Sequence, residues 1–287
     1  MALPPLTPAK QFVRAALLTV LALCISFGAH LVLVSGVQAH AAQSKALDAL
    51  RLKLAIGTAP VGPTTESGDL LELGTPVAYL EIPSLDLHQV IGEGTTSGVL
   101  FDGPGHRRDT PLPGQVGTSV VMGRRAAFGG PFSDLSSLKK GDSIVVTTGQ
   151  GRFTFEVTGL RHDGDPAPAR AAAGTARLTL VTADGSAFLP NGALRVDAQL
   201  SGDAVGGAAR PFNAATLPEA ERLMATDPGT LWALAFWLQA LVLLAVVAVW
   251  AWHRWGRAQA WIVLLPPMLL VGLSASGEAM RLFPNLM

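Results

Sequence analysis

Three long runs of the chain are apolar almost throughout. From Ala15 to Ser44 there is no Asp, Glu, Lys or Arg. Residues 15–36 predict a first membrane helix, because about 20 apolar residues at 1.5 Å rise span the ~30 Å hydrocarbon core. Residues 230–252 and 258–276 predict a second and a third, separated by the basic turn 253–257 (His-Arg-Trp-Gly-Arg). Between the first and second runs the pattern changes. Residues 37–74 start with helical spacing, Leu47, Leu50 and Leu54 on one face, which predicts a membrane-exit helix over 38–56. They end in a linker rich in Gly, Pro, Thr and Ser. Residues 75–202 break into short strand-like runs at 77–82, 87–91, 118–123, 143–148, 152–158, 177–182 and 194–200, with 99–101 a weaker eighth. In 152–158, Phe153, Phe155 and Val157 alternate with Arg152, Thr154 and Glu156, the period of two that gives a strand one buried and one wet face. Gly149-Gln150-Gly151 predicts a tight hairpin. Short strands separated by turn signals predict an all-β domain, a closed barrel or a sandwich. Residues 203–229 are loose again. Within them Thr216-Leu-Pro-Glu219 has a capping-box pattern and predicts a short helix ending near Asp227.

The basic residues set a direction. Lys10 and Arg14 precede the first run, and the positive-inside rule places residues 1–14 and the turn 253–257 in the cytoplasm. The all-β domain and residues 277–287 then lie on the extracellular face of a multi-pass plasma-membrane protein, with membrane lipid as one partner. All six Trp fall between Trp232 and Trp261, as expected of interfacial belts. Val37-Gln38-Ala39 resembles a signal-peptide cleavage site, but the preceding apolar run is longer than a usual signal core, so an uncleaved anchor is expected. Pro266-Pro267 predicts a kink in the third helix.

Composition sharpens this. Hydrophobic residues make up 49% of the chain and charged ones 15%, well under the roughly one quarter of a soluble domain; the apolar spans account for the shortfall. Net charge is zero, and residues 75–200 carry 11 Lys+Arg against 12 Asp+Glu. That excludes the basic face of a nucleic-acid binder. The single Cys, Cys24, excludes a disulfide framework, a CxxC redox pair and a thiolate zinc site. It leaves a lone thiol nucleophile open. No His pair stands at ligand spacing, so neither a metal site nor a cofactor is expected. Asp163-Gly-Asp165 with Asp184 offers oxygens suited to Ca²⁺, although an acidic solvated loop is the favoured reading.

The strand region carries a series of motifs. Ala78–Pro83 (AYLEIP) is similar to the first barrel strand of sortases. Gly103-Pro-Gly-His106 and Leu112-Pro-Gly-Gln-Val-Gly117 resemble that family's GxGH and PG stretches. Ser119–Arg125 (SVVMGRR) resembles its strand ending in Gly-His-Arg. Pro131-Phe-Ser-Asp-Leu135 and Lys140-Gly-Asp-Ser-Ile144 resemble the segment that follows. Leu178–Ala183 (LTLVTA) looks like the strand ending in the catalytic Thr-Cys, and Leu194-Arg-Val196 like the strand bearing the active-site Arg. The resemblance spans about residues 75–200 and is nearest the class E branch. It implies an eight-stranded sortase barrel outside a Gram-positive-type, actinobacterial-like membrane.

In sortases a Cys thiolate attacks a Thr–Gly carbonyl of a sorting signal, a His serves as acid and base, and an Arg holds the developing oxyanion. These roles match general needs of acyl transfer: a strong nucleophile, a group that exchanges protons near neutral pH, and an oxyanion donor. Carried onto this chain, the Cys position is Ala183, the His position Arg124 and the Arg position Arg195. A methyl group cannot attack, and a guanidinium does not shuttle protons. Cys24 lies in the first apolar run. The resemblance therefore implies a catalytically inactive, cell-surface homologue that binds a sorting-signal peptide, an anionic cell-wall polymer or an active sortase, with Arg124, Arg195, Thr182 and His106 as candidate ligand-binding residues. Arg124 and Arg195 are expected to project near one another, and Arg125 outward by strand alternation. Alternatively Arg124 pairs with Asp184 or Glu156. Two further readings stand beside this one. The chain is an active transpeptidase using Ser186 with His106 or His162 as base, or it is a membrane assembly subunit acting through its Trp-rich hairpin.

Overall fold

In the computed structural model of the chain, residues 27–28, 30–65, 67–169, 171–186 and 188–287 are described. Residues 15–26 of the first predicted span, together with Lys10, Arg14 and Cys24, lie outside them. The chain forms two compact units. One comprises residues 35–227 with 283–287, and the other residues up to 34 with 228–282.

The larger unit is a closed barrel of eight strands: β1 (Pro76–Ile82), β2 (Leu87–Glu93), β3 (Gly105–His106), β4 (Gly117–Met122), β5 (Ser143–Thr148), β6 (Gly151–Arg161), β7 (Ala176–Ser186) and β8 (Leu189–Leu200). Their order around the barrel is β1-β2-β3-β4-β7-β8-β6-β5. The β2–β3 and β4–β7 pairs are parallel and the others antiparallel. Closure gives every strand a neighbour on both sides, which limits the edge open to further strands. Period-two alternation fills the interior: Phe153, Phe155 and Val157 are buried, while Arg152, Thr154 and Glu156 face solvent. They meet Leu80, Ile82, Ile144, Leu178, Leu180, Leu194 and Val196 in one core.

Helix α1 (Ser35–Ala55) belongs to this unit. Its predicted apolar face is used, with Leu50 buried and Leu47 and Leu54 half-buried. The amide of Gln43 docks it: Oε1 accepts from Val90 N at 2.7 Å, and Nε2 donates to Val90 O and Asp102 O at 3.1 and 2.8 Å. A side-chain amide thus continues the hydrogen-bonding of β2, where backbone groups would otherwise be unpaired.

Two expectations are corrected. Residues 99–101 are not a strand. They lie in α2 (Ser97–Asp102), where the Thr96 hydroxyl caps Val99 N and Val99 and Leu100 are buried. A short apolar run fits strand or helix equally by periodicity, and here the cap decides. The missing strand is β3, whose two residues pair with β2 and β4. Nor does Thr216 start a helix. Its amide and that of Ala215 bond to Asn213 Oδ1, and its hydroxyl receives Asn213 N. The side-chain turn competes with the capping box, and only a 3₁₀ turn at Glu219–Glu221 follows.

In the smaller unit, α3 (Leu231–Trp255) and α4 (Arg257–Arg281) are joined at Gly256. Both are long and apolar enough to cross a membrane. They pack on each other through Ala251, Ala260 and Leu264 and present Trp232, Phe236, Val242, Leu243 and Val246 outward. Helix α4 continues through Pro266 and Pro267.

Candidate functional site: the outer face of β4, β7 and β8

Alternation on β7 sends Leu178, Leu180 and Thr182 to one side and Val181 and Ala183 to the other. The first two belong to the barrel core. Val181 and Ala183 instead join Met122 of β4 and Ala193 of β8 in a second apolar cluster on the outer face. Register fixes the arrangement, since Ala183 lies opposite Ala193 and Val181 opposite Arg195. Leu223 and Met224, from the segment after the barrel, pack against this cluster. The carboxylate of Glu221 ties that segment down. It is buried, forms a two-pronged pair with Arg108, and its backbone carbonyl accepts from Thr95 Oγ1 at 2.6 Å.

Arg124 stands just past β4. Gly123 makes the approach, for a Cβ built there would lie 2.5 Å from the Phe132 ring. The Arg124 guanidinium is 2% exposed and stacks over Phe101 and Phe128, 4.6 and 5.3 Å from the ring centres. Nη1 donates to Met287 O at 2.9 Å. Among the described residues Nε and Nη2 have no hydrogen-bond partner. Burial pulls its pKa from the ordinary arginine range to about 9, so the group is still a cation at neutral pH. Neither acid considered from the sequence meets it: Asp184 bonds to His162 at 2.6 Å, and Glu156 is exposed on β6.

Arg125 does not point outward. The strand ends at Met122, so alternation no longer applies, and Arg125 Nη1 donates to Ala183 O at 2.9 Å. Arg195 is engaged elsewhere than Arg124, donating to Asp163 Oδ1 at 2.7 Å. That bond holds the Asp163 carboxyl below its usual range. Arg195, Arg107, Arg161 and Arg177 line an open cavity of about 280 Å³ along the same face.

The remaining candidates lie apart from this cluster. Thr182 is fully buried, on the interior side of β7. His106 is buried with both ring nitrogens committed, Nδ1 to Glu93 Oε2 at 2.9 Å and Nε2 to Pro111 O at 3.0 Å. Burial lowers its pKa, but the charge and hydrogen bond of Glu93 outweigh this and raise it overall. Ser186 is exposed and donates to Leu189 O. The acidic loop is internally used: Asp163 by Arg195, Asp184 by His162, and Asp165 by the His162 amide. No metal-holding group of His, Cys, Asp and Glu occurs among the described residues.

One part of the site had no counterpart in the sequence pattern. Residues 283–287 pack in the barrel unit, with Leu286 fully buried among Leu100, Met122, Val181, Ala183 and Ala193. Burying a leucine in this way contributes about 2–3 kcal/mol. Leu286 O accepts from Arg125 N at 3.0 Å. Asn285 N donates to Ala225 O, and Asn285 Nδ2 to Thr95 O and Arg222 O at 2.9 and 3.0 Å.

Comparison with known proteins agrees with this architecture. The sortase domain family matches residues 80–195. Sortase D of Bacillus subtilis is 34% identical over 86 residues, 30% of this chain and 42% of that protein. Sortase SrtE1 of Streptomyces coelicolor is 30% identical over 133 residues, 44% of this chain and 36% of that protein. The chain thus spans less than half the length of these curated relatives. A solved Sortase D5 transpeptidase of Clostridium perfringens is 22% identical, with a TM-score of 0.46, over 56% of this chain and 99% of that one. By the domain match and the two relatives, residues 80–195, which make up most of the barrel, match the sortase domain family.

Proposed function

We propose that this chain is a membrane-anchored, extracellular sortase homologue that does not perform thiol transpeptidation and uses its outer face to bind a partner in surface-protein display. The observation that carries the reading is the chemistry at the end of β7. Ala183, aligned by resemblance with the nucleophile, offers a methyl group, and the chain's one thiol is at Cys24. Losing the nucleophile of a catalytic triad alone costs on the order of 10⁶-fold in rate. Arg124, aligned with the acid–base, is buried, protonated at neutral pH and bonded to a carbonyl, which suits a positioning cation rather than a proton shuttle. Ser186, the candidate substitute nucleophile, has its hydroxyl on Leu189 O, and among the described residues neither His106 nor His162 is hydrogen-bonded to it.

The face suits a peptide or an anionic polymer. Its floor is apolar at Met122, Val181, Ala183 and Ala193, and the cavity along it is lined by Arg107, Arg161, Arg177 and Arg195. A membrane location is supported by α3 and α4. With the basic turn 253–257 in the cytoplasm, the segments flanking the helix pair lie outside.

The test is an acyl-transfer assay on the full chain in detergent, using a sorting-signal peptide and a glycine nucleophile. Neither cleavage above the protein-free background nor an acyl adduct on the chain is expected. Turnover that disappears in Ser186→Ala overturns the reading. The Ala183→Cys, Arg124→His double variant is expected to form an adduct on the introduced thiol.

A further inference from the structure

The face at Ala183 is occupied by the chain itself. Residues 283–287 (Phe-Pro-Asn-Leu-Met) lie on it as a short peptide would. The backbone is read at two successive carbonyls, Leu286 O by the Arg125 amide and Met287 O by the Arg124 guanidinium. The register is set by Asn285, itself fully buried, whose amide nitrogen reaches Thr95 O and Arg222 O. The pocket between Ala183 and Ala193 takes Leu286. Small side chains at both positions leave the room that this leucine fills.

We propose that residues 283–287 are a tethered peptide ligand of this groove, which an external peptide must displace before it reaches the face at Ala183. Arg124 links occupancy to the site. Among the described residues the Met287 carbonyl is the one acceptor its guanidinium has. Displacing the segment leaves a buried cation with none, so an incoming peptide has to supply an acceptor there. A buried donor without a partner is costly. The groove therefore selects for a ligand with a carbonyl or carboxylate one residue beyond an apolar side chain, matching Leu286 and Met287.

The inference rests on reading the groove as a peptide site, and the two are tested separately. A short tether holds its ligand at an effective concentration on the order of millimolar. A free peptide with a Kd of about 10 µM for the emptied groove would then bind the intact chain about 100-fold more weakly. The probe is a fluorescent peptide of the sequence of residues 282–287, titrated by anisotropy against the full chain in detergent and against a chain lacking residues 283–287. Saturable binding to the shortened chain, about 100-fold weaker binding to the intact one, and no binding of a peptide carrying Leu286→Asp are expected. Equal binding to both chains, or none to a shortened chain that keeps its β-sheet circular dichroism, overturns the proposal.

Hydrogen exchange on the unaltered chain needs no variant. The amides of Arg125 and Asn285 are expected to be protected. Exchange at the rate of open chain overturns the tethered ligand while leaving the absence of transpeptidation standing. Turnover in the acyl-transfer assay has the opposite effect.

Discussion

Replacing Arg124 with methionine removes a charge that the fold holds at a loss. The guanidinium is 2% exposed, and burial brings its pKa down to about 9. At about 1.4 kcal/mol for each pH unit, the difference from an ordinary arginine amounts to about 5 kcal/mol against the charged form. Stacking over Phe101 and Phe128 and the hydrogen bond to Met287 O act on the charged form and are already contained in that pKa. Arg124→Met is therefore expected to stabilise the barrel at pH 7, by at most about 5 kcal/mol.

The pH dependence has a defined sign. The folded pKa lies below the unfolded one, so the unfavourable contribution is complete below about pH 9 and fades as pH rises above it. Unfolded chains bind more protons in that window, and native stability rises with pH there. The advantage of Arg124→Met therefore shrinks between pH 8 and 10.5. All six tryptophans lie between residues 232 and 261, so tryptophan fluorescence reports the helix pair. The barrel is followed instead by pulse proteolysis across a urea titration of the full chain in detergent. A loss of more than 1 kcal/mol at pH 7, or a difference that stays constant with pH, refutes the reasoning.

Two further outcomes are expected in the same titration. Arg108→Met strands the buried Glu221 carboxylate and costs about 3–5 kcal/mol, whereas Arg108→Met with Glu221→Leu recovers most of it. A single variant within 1 kcal/mol of wild type would sink that account. His106 has a folded pKa raised above 6.5, so its stabilising contribution is complete below that value and is lost as pH rises through the folded one. The urea midpoint is expected to fall as pH is raised from 6 to 9 and to do so less in His106→Asn. A wild-type profile no steeper than the variant's contradicts the Glu93–His106 pair.

What could be read from the sequence was local and periodic. The inward residues of β6 follow from a period of two, and the two apolar helices from length and composition. Short elements behaved differently. Strand β3 has two residues and no period of its own, so nothing in the sequence distinguishes Gly105-His106 from a loop. The apolar run 99–101 looked the more strand-like, but its cap at Thr96 made it helical. At the site, residue identities placed Ala183 and Arg124 side by side with the family's motifs, yet not their partners. Arg125 was misjudged because alternation was carried three residues beyond the strand's end. His106 and Thr182 proved to be committed or interior, which depends on contacts with Glu93 and on which side of β7 a residue stands.

The sequence by itself determined that this is a β domain with apolar helices, that its one thiol lies in the first apolar run, and that residue 183 carries no nucleophile. Those are properties of composition, period and residue identity, which need no partner. Only the tertiary structure decided what fills the site. Arg124 and Met287 are 163 positions apart, and residues 283–287 carry no periodicity or charge pattern that points to a groove. Their role exists because chain closure brings Leu286 against Ala183 and Ala193, where a buried leucine gains more than a solvated one. That juxtaposition is a product of folding across the whole chain, and no local pattern encodes it.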